Sequence, residues 1–361
     1  MTDPAESPLA LMARTTATEY WNDSCAVAEL EYAVARGAVG ATSNPTIVGE
    51  VLKKEAAFWR PRIRQIAEQR HHATDVEITW QVVEEMAARG AATLEPIFRR
   101  EHGRKGRLSI QTDPTLYRDA DRMLEQGRHF DSLAPNMQVK FPATAAGVEA
   151  LEAATASGIS INATVSFTVP QALAVGAAVE RSLEQRERAG HDVSSMSPVC
   201  TVMIGRLDDW VKAIAERDNI DLDPAAANWA GIAVFKRVAA LFRDRGYRTR
   251  PLAAAYRHRL HWTELIGGDV TLTMPHQWQL RFNASSVKLE ERFERPVPVD
   301  HLNELRALVP DFVRAYEPDG LTVGEFDGYG ATVRTLRTFI ASYWDLVRAI
   351  DDIVLPNPDT N

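Results

Sequence analysis

Cysteine is nearly missing from this chain: Cys25 and Cys200 are the two in 361 residues. A lone, widely separated pair supplies neither a disulfide framework nor the clustered spacing of a zinc site, so a reducing cytoplasm is the expected compartment and no metal is expected. Long apolar runs are absent too. No stretch approaches the ~20 residues that cross a bilayer, and residues 1–11 lack the basic start and apolar core of a secretory signal, so a membrane is not expected as a partner. Positive charge is outnumbered, with 41 Lys and Arg against 49 Asp and Glu and a net charge of -8. The arginines are interleaved with acids, leaving no basic stripe for nucleic acid. No G-x-G-x-x-G follows any expected strand, which argues against an open, doubly wound dinucleotide-binding sheet.

What is present is an ordinary globular composition, 45% hydrophobic and 25% charged, on a chain long enough for one barrel-sized domain or two smaller ones. The pattern predicts a loose terminus over residues 1–18. Strands are predicted at 19–24, 37–45, 107–112, 137–141, 158–165, 199–204, 249–254 and 269–275. Helical spacing fills most intervals: 26–36, 46–69, 75–99, 114–126, 145–157, 169–188, 207–217, 224–245 and a helix from His258. Eight strands, most followed by a helix, predict a closed (β/α)8 TIM barrel over residues 19–284. Helices at 299–316 and 330–353 predict a C-terminal helical extension over 285–361, packed on the barrel because no long linker precedes it.

Lysine is scarce, seven residues in all, and six of them lie in charged or amphipathic surroundings. Lys140 is the exception. It sits inside Asn136-Met137-Gln138-Val139-Lys140-Phe141-Pro142, which reads as a buried strand. Burying an ammonium is costly, so the group lowers its pKa, and the free amine is a nucleophile toward ketones and aldehydes. Snorkelling from a strand end, or pairing with an acid, would be the ordinary alternative. In a barrel the C-terminal strand ends converge on one face. Here they carry Asp23, Asn44, Gln111, Lys140, Asn162 with Thr164, Thr201 with Arg206, and Arg257: one amine, one carboxylate, neutral hydrogen-bonders and two cations. Such a set suits carbonyl chemistry on a small anionic substrate. His258 and His261 share a helical face, but with no carboxylate ligand in view they read as surface or capping residues, not as metal ligands.

Five stretches in order resemble the transaldolase family. Gly40-Ala41-Thr42-Ser43-Asn44-Pro45-Thr46 resembles its G-x-T-[ST]-N-P-[ST] signature, and Lys140-Phe141-Pro142-Ala143-Thr144 resembles the stretch around its Schiff-base lysine. Gly158 to Thr164 resembles G-I-x-x-N-x-T, Ile204 to Trp210 resembles V-G-R-[IL]-x-D-W, and Ala254-Ala255-Tyr256-Arg257 resembles A-S-[FY]-R. The resemblance implies a class I mechanism without organic cofactor. Lys140 would attack the ketose carbonyl and Asp23 would move the hydroxyl proton. Thr164 would hold a catalytic water, and Asn44, Asn162 and Thr42 would line the substrate. Arg206 and Arg257 would bind a terminal phosphate, a task suited to forked guanidinium donors.

Three departures from that pattern involve four positions. Gln111 stands where most members have a glutamate, and an amide can orient water but cannot take its proton; the fructose 6-phosphate aldolase branch is similar there. Thr201 and Met203 replace a serine and an aromatic residue, and Ala255 replaces a serine. The resemblance therefore implies transfer of a dihydroxyacetone unit between sugar phosphates. It leaves open aldol cleavage that releases free dihydroxyacetone, and noncatalytic sugar-phosphate binding. It is compatible with a homodimer.

Overall fold

A computed structural model describes residues 4–360. Eight strands close into one barrel: β1 (Glu19–Asn22), β2 (Gly40–Thr42), β3 (Arg107–Gln111), β4 (Met137–Pro142), β5 (Ile161–Ser166), β6 (Val199–Val202), β7 (Arg250–Ala253) and β8 (Thr271–Met274). Every neighbouring pair is parallel, and β8 returns to β1 through Glu19 opposite Thr271. The fold is the (β/α)8 barrel that the strand–helix alternation predicts.

Local chemistry explains where the elements stop. Asn44 caps helix Pro45–Lys54 by accepting the Ile47 amide at 3.0 Å, and Pro45 opens the helix where no N–H is needed. Thr144 caps helix Ala145–Ala156 through the Gly147 amide at 3.0 Å. A Cβ on Gly147 would lie 1.8 Å from the Pro142 carbonyl oxygen, so this glycine lets the helix seat directly on the end of the lysine strand.

Several boundaries differ from the expected ones. The 46–69 pattern is two helices, Pro45–Lys54 and Ala56–Gln69, broken at Glu55. Helix 299–316 breaks at Pro310, which has no N–H to give and holds Val309 extended. The 224–245 segment splits into Pro224–Ala227 and Ala230–Asp244, and the helix expected from His258 is only Leu260–Thr263. Residues 114–126 form a 3₁₀ turn, Pro114–Leu116, then a helix Ala120–Asp131 capped by Asp119.

The expected loose terminus over 1–18 is corrected for its described part, while residues 1–3 lie outside the described residues. Pro8–Thr15 is a helix capped by Ser7, and its Leu9 and Met12 are fully buried. The Trp262 indole N–H points at the Met12 sulfur at 3.2 Å, and Leu9 donates to Asn283 at 3.1 Å. A short amphipathic segment rarely orders by propensity; docking does it. Met12→Ala should therefore cost about 2–4 kcal/mol in urea unfolding, and a cost below about 0.5 kcal/mol would mean the segment is not docked.

Helix Gly330–Val354, the closing helix, lies against the loops and helices around the C-terminal strand ends. Its Thr332 hydroxyl accepts from the Gln171 amide, its Ser342 hydroxyl accepts from Thr46, and its Tyr343 ring lies against Trp80. No helix among the described residues is long and apolar enough to cross a membrane.

Candidate active site

The C-terminal strand ends surround a cavity of about 270 Å³. Eight of the eleven expected site residues line it: Asp23, Asn44, Lys140, Thr164, Thr201, Met203, Arg206 and Arg257. Lys140 is 4% exposed, and its amine donates to the Ser43 carbonyl at 3.1 Å. Burial lowers its pKa from 10.5 to about 8; Asp23 opposes the shift and Arg206 adds to it. Asp23 is pushed the other way, above the ordinary carboxylate range, by its enclosure, with Lys140, the Thr42 hydroxyl and Arg206 holding it back. An acid raised and an amine lowered toward each other can exchange a proton near neutral pH.

The three remaining residues lie elsewhere. Thr42, expected against substrate, instead donates to Asp23 Oδ1 at 2.6 Å. Its one hydroxyl proton is used there, so the Thr273 hydroxyl, 2.6 Å away, donates to Thr42 in turn. Thr42 is thus a positioning residue for the carboxylate. Asn162 sits beside Lys140 in register but is tied inside the barrel: its amide donates to Ser109 at 3.1 Å and its oxygen accepts from Thr201 at 2.7 Å. Gln111 is also in register with Lys140. Its side chain lines a neighbouring crevice with Trp80, Tyr343 and Val48, and Oε1 is buried without a partner.

Thr164 owes its place to a backbone irregularity. Ala163 pairs with Cys200 and Ser166 with Val202, so Thr164 and Val165 together oppose Thr201. Val165 takes φ 52°, a left-handed value that a β-branched residue rarely adopts. The bulge brings Thr164 to the cavity wall with its buried hydroxyl unpartnered.

The two arginines are not equivalent. Arg257 is exposed and forked onto Asp209, with Nε and Nη2 at 2.9 and 2.8 Å from Oδ2, while Nη1 donates to the Tyr256 carbonyl. Arg206, in the first turn of helix Ile204–Arg217, has no carboxylate partner among the described residues. It lies over the Phe339 ring at 5.1 Å, with one long 3.5 Å contact to Thr335. Burial lowers its pKa, as do the nearby Arg257 and, more weakly, Arg334, against the pull of Asp209 and Asp23. Arg334 from the closing helix donates to the Asp209 backbone carbonyl at 3.2 Å. Arg257 holds the Asp209 carboxylate and Arg334 its backbone carbonyl, which leaves the Arg206 guanidinium uncommitted at the end of the cavity. Gly205 permits the arrangement, since a Cβ there would lie 1.8 Å from the carbonyl oxygen of Ala255.

A buried low-pKa lysine thus shares its cavity with a carboxylate and a cationic end. The model of the transaldolase/fructose-6-phosphate aldolase family matches residues 20–312. The chain belongs to that family. Proteins named transaldolase are similar to it: one from Mycolicibacterium smegmatis is 32% identical over 265 residues, covering 67% of this chain and 70% of the relative. Another from Thermobifida fusca is 32% identical over 263 residues, covering 66% and 70%. Membership makes the chain an enzyme of transaldolase type, with sugar phosphates as the substrate class of its family.

Three further residues stand beside the site that the sequence did not lead one to expect there. Glu50 lines the cavity mouth; Thr46 and Glu50 stand four apart on the helix after Asn44, a spacing that could have found it. Tyr256 lines the wall with its hydroxyl buried and unpartnered, and the nearby Asp23 charge helps burial push its pKa up. A tyrosine where the motif tolerates phenylalanine was the available signal. Arg334 gave none.

The histidine reading is corrected. A carboxylate is present: Asp208 Oδ2 lies 2.8 Å from His261 Nε2 and 3.1 Å from His258 Nε2, and His261 is fully buried. These residues form one of two groups with metal-like spacing among the described residues. Hydrogen-bond polarity makes His261 a poor ligand there. Its Nδ1 accepts the Arg257 backbone N–H at 3.1 Å, so in the neutral ring Nε2 carries the proton and donates it to Asp208.

Proposed function

We propose that Lys140 forms a Schiff base with a ketose phosphate and that the chain transfers a three-carbon dihydroxyacetone unit from it to an aldehyde acceptor. The observation that carries this reading is the Lys140 amine, buried, with a pKa of about 8, in a cavity shared with Asp23. The free amine adds to the ketone carbonyl and water leaves, giving an iminium that withdraws electrons. Asp23 takes the proton of the hydroxyl whose carbon is cleaved from the chain, the carbon–carbon bond breaks, and the aldehyde departs. The electron pair remains on the bound fragment as an enamine. Attack of that enamine on a second aldehyde, with Asp23 returning its proton, reverses the steps on the acceptor.

Substrate holding divides between the two ends. Asn44 spends its side-chain oxygen on the Ile47 amide, so its NH₂ is left to donate to a substrate hydroxyl. The Thr164 hydroxyl binds the water that is released and consumed. Arg206 takes the phosphate as a charge-assisted donor. Gln111 supports steady release over transfer only if it reaches the water, and in the present arrangement it faces the adjoining crevice.

Borohydride trapping across a panel of ketose phosphates, with the modified peptide located by mass, tests the reading. A reduced adduct on Lys140 is expected. An adduct elsewhere, or none with any ketose, would sink it. Retention of the fragment until an aldehyde is added is the transfer result; steady release of dihydroxyacetone without acceptor would make the chain an aldolase. Adduct formation should also rise with pH, about tenfold per unit below pH 8 and levelling above it, because only the unprotonated amine attacks. A rate independent of pH between 6 and 8 would mean the amine is not the titrating nucleophile.

A further inference from the structure

Asp208 is fully buried, yet nothing in the proposed reaction uses it. Its Oδ1 accepts the Gly231 backbone N–H at 2.8 Å, while Oδ2 serves His261 and His258. Those bonds hold its carboxyl below the ordinary range despite burial. A charge kept in the interior with this many donors is a fixed anchor. What it anchors follows from the chain. Asp208 lies two residues after Arg206 and one before Asp209; His261 lies four residues after Arg257. The carboxylate therefore ties the segment carrying one arginine to the segment carrying the other.

The tie ends on backbone, at the Arg257 N–H that His261 Nδ1 accepts. That loop needs a restraint from outside. Ala255, two residues earlier, holds φ 68°, and its carbonyl abuts Gly205 at the start of the Arg206 helix. Tyr256 presses its ring on the edge of His261, 6.0 Å between centroids. If the loop relaxes, Arg257 leaves Asp209. The freed carboxylate can then neutralise Arg206, and the cation meant for the ligand is lost.

We propose that the Asp208–His261 pair is a positioning device for the anion-binding end of the cavity. It fixes the Arg257 backbone so that Asp209 stays committed to Arg257 and Arg206 stays free for a phosphate. The pair touches no substrate; it acts through the two arginines. This inference rests on the phosphate role given to Arg206 above, and its test does not require turnover.

The probe is inorganic phosphate, titrated calorimetrically into the full chain and its variants. His261→Phe fills the space but removes both the acceptor and the donor, and should weaken phosphate binding about tenfold. His261→Gln restores one oxygen and one N–H on the same side chain and should bind within about threefold of the parent. Should His261→Phe fail to fold, Asp208→Asn carries the test: turned to keep an oxygen for Gly231, its amide N–H faces His261 Nε2, drives the ring proton to Nδ1 and sets it against the Arg257 N–H. The same tenfold loss is expected. In kinetics the damage should fall on KM for phosphorylated ketoses more than on kcat, with trapping of unphosphorylated dihydroxyacetone on Lys140 reporting the reactive end separately. Parent-like phosphate affinity in both His261→Phe and Asp208→Asn, equal losses in His261→Gln and His261→Phe, or a parent that binds no phosphate, each overturns the proposal. Failure of the Schiff-base reading would appear instead as absence of the trapped adduct with phosphate binding intact.

Discussion

Lys140→Met yields no borohydride-trapped adduct with any ketose, and its midpoint of thermal unfolding at pH 7 is equal to or above that of the parent. Methionine matches the length and apolar stem of lysine and leaves Phe141 and Val139 undisturbed in the barrel wall, so the packing survives while the nucleophile is gone. The stability half follows from proton linkage. In the unfolded chain the amine keeps its proton up to about pH 10.5, whereas in the folded chain it keeps it only up to about pH 8. Between those values the unfolded state binds more protons, so stability rises with pH across that window. Below pH 8 the folded state carries the whole penalty, roughly 3 kcal/mol for a depression of this size. Removing the amine removes that penalty at pH 7, and the advantage of the variant should fade as pH approaches 10.5. Thermal melts at pH 7 and pH 10 measure the difference. A variant markedly less stable at pH 7 would mean that the ion pair with Asp23 outweighs the burial of the charge.

Arg206→Ala raises KM for a phosphorylated ketose roughly 10- to 150-fold, and Arg257→Ala raises it less, by up to about tenfold. A hydrogen bond to a charged group contributes roughly 1.5–3 kcal/mol, with a tenfold change per 1.4 kcal/mol. Arg206 has that interaction to give, because no carboxylate holds it and Phe339 and Thr335 keep it half-buried, where screening is weak. Arg257 is exposed and already forked on Asp209. Its truncation also frees Asp209 to compete for Arg206, so a loss approaching the tenfold expected from any release of that carboxylate follows. Steady-state kinetics on both variants decide the matter: equal losses would make the two cations partners in one clamp, and a larger loss in Arg257→Ala would reverse their roles.

The barrel was legible because parallel strands and their covering helices alternate with different periods, and the eight breaks in period fall close to the eight strand ends. Lys140 was legible for a similar reason: a charge in an apolar strand contradicts its surroundings. Depth and direction were harder. Thr42 and Gln111 close their strands, as expected, whereas Asn162 is the second residue of β5; even a strand end says only which face of the sheet a side chain leaves, not which layer or crevice it enters. Asn162 is consumed one layer down by Ser109 and Thr201, and Thr42 by Asp23. The support of Arg206 was invisible because Thr335 lies 129 residues away in sequence. The Asp208 contact with His261 spans 53 residues, so neither segment carries a local sign of it. The terminal helix failed for want of length: eight residues with two deeply buried side chains show little periodicity until the docking surface is known.

The closing helix has a consequence for biosynthesis. All eight strands have been translated by Met274, but Phe339 and Thr335, on which the Arg206 side chain rests, and Arg334, which braces Asp209, come later. At ~5–20 residues per second, the 80 positions from Met274 to Val354 take the ribosome roughly 4–16 s. During that interval the chain holds every strand of the barrel but lacks the residues on which the Arg206 side chain rests. The Arg206 end of the cavity is therefore the last part of it that synthesis can complete.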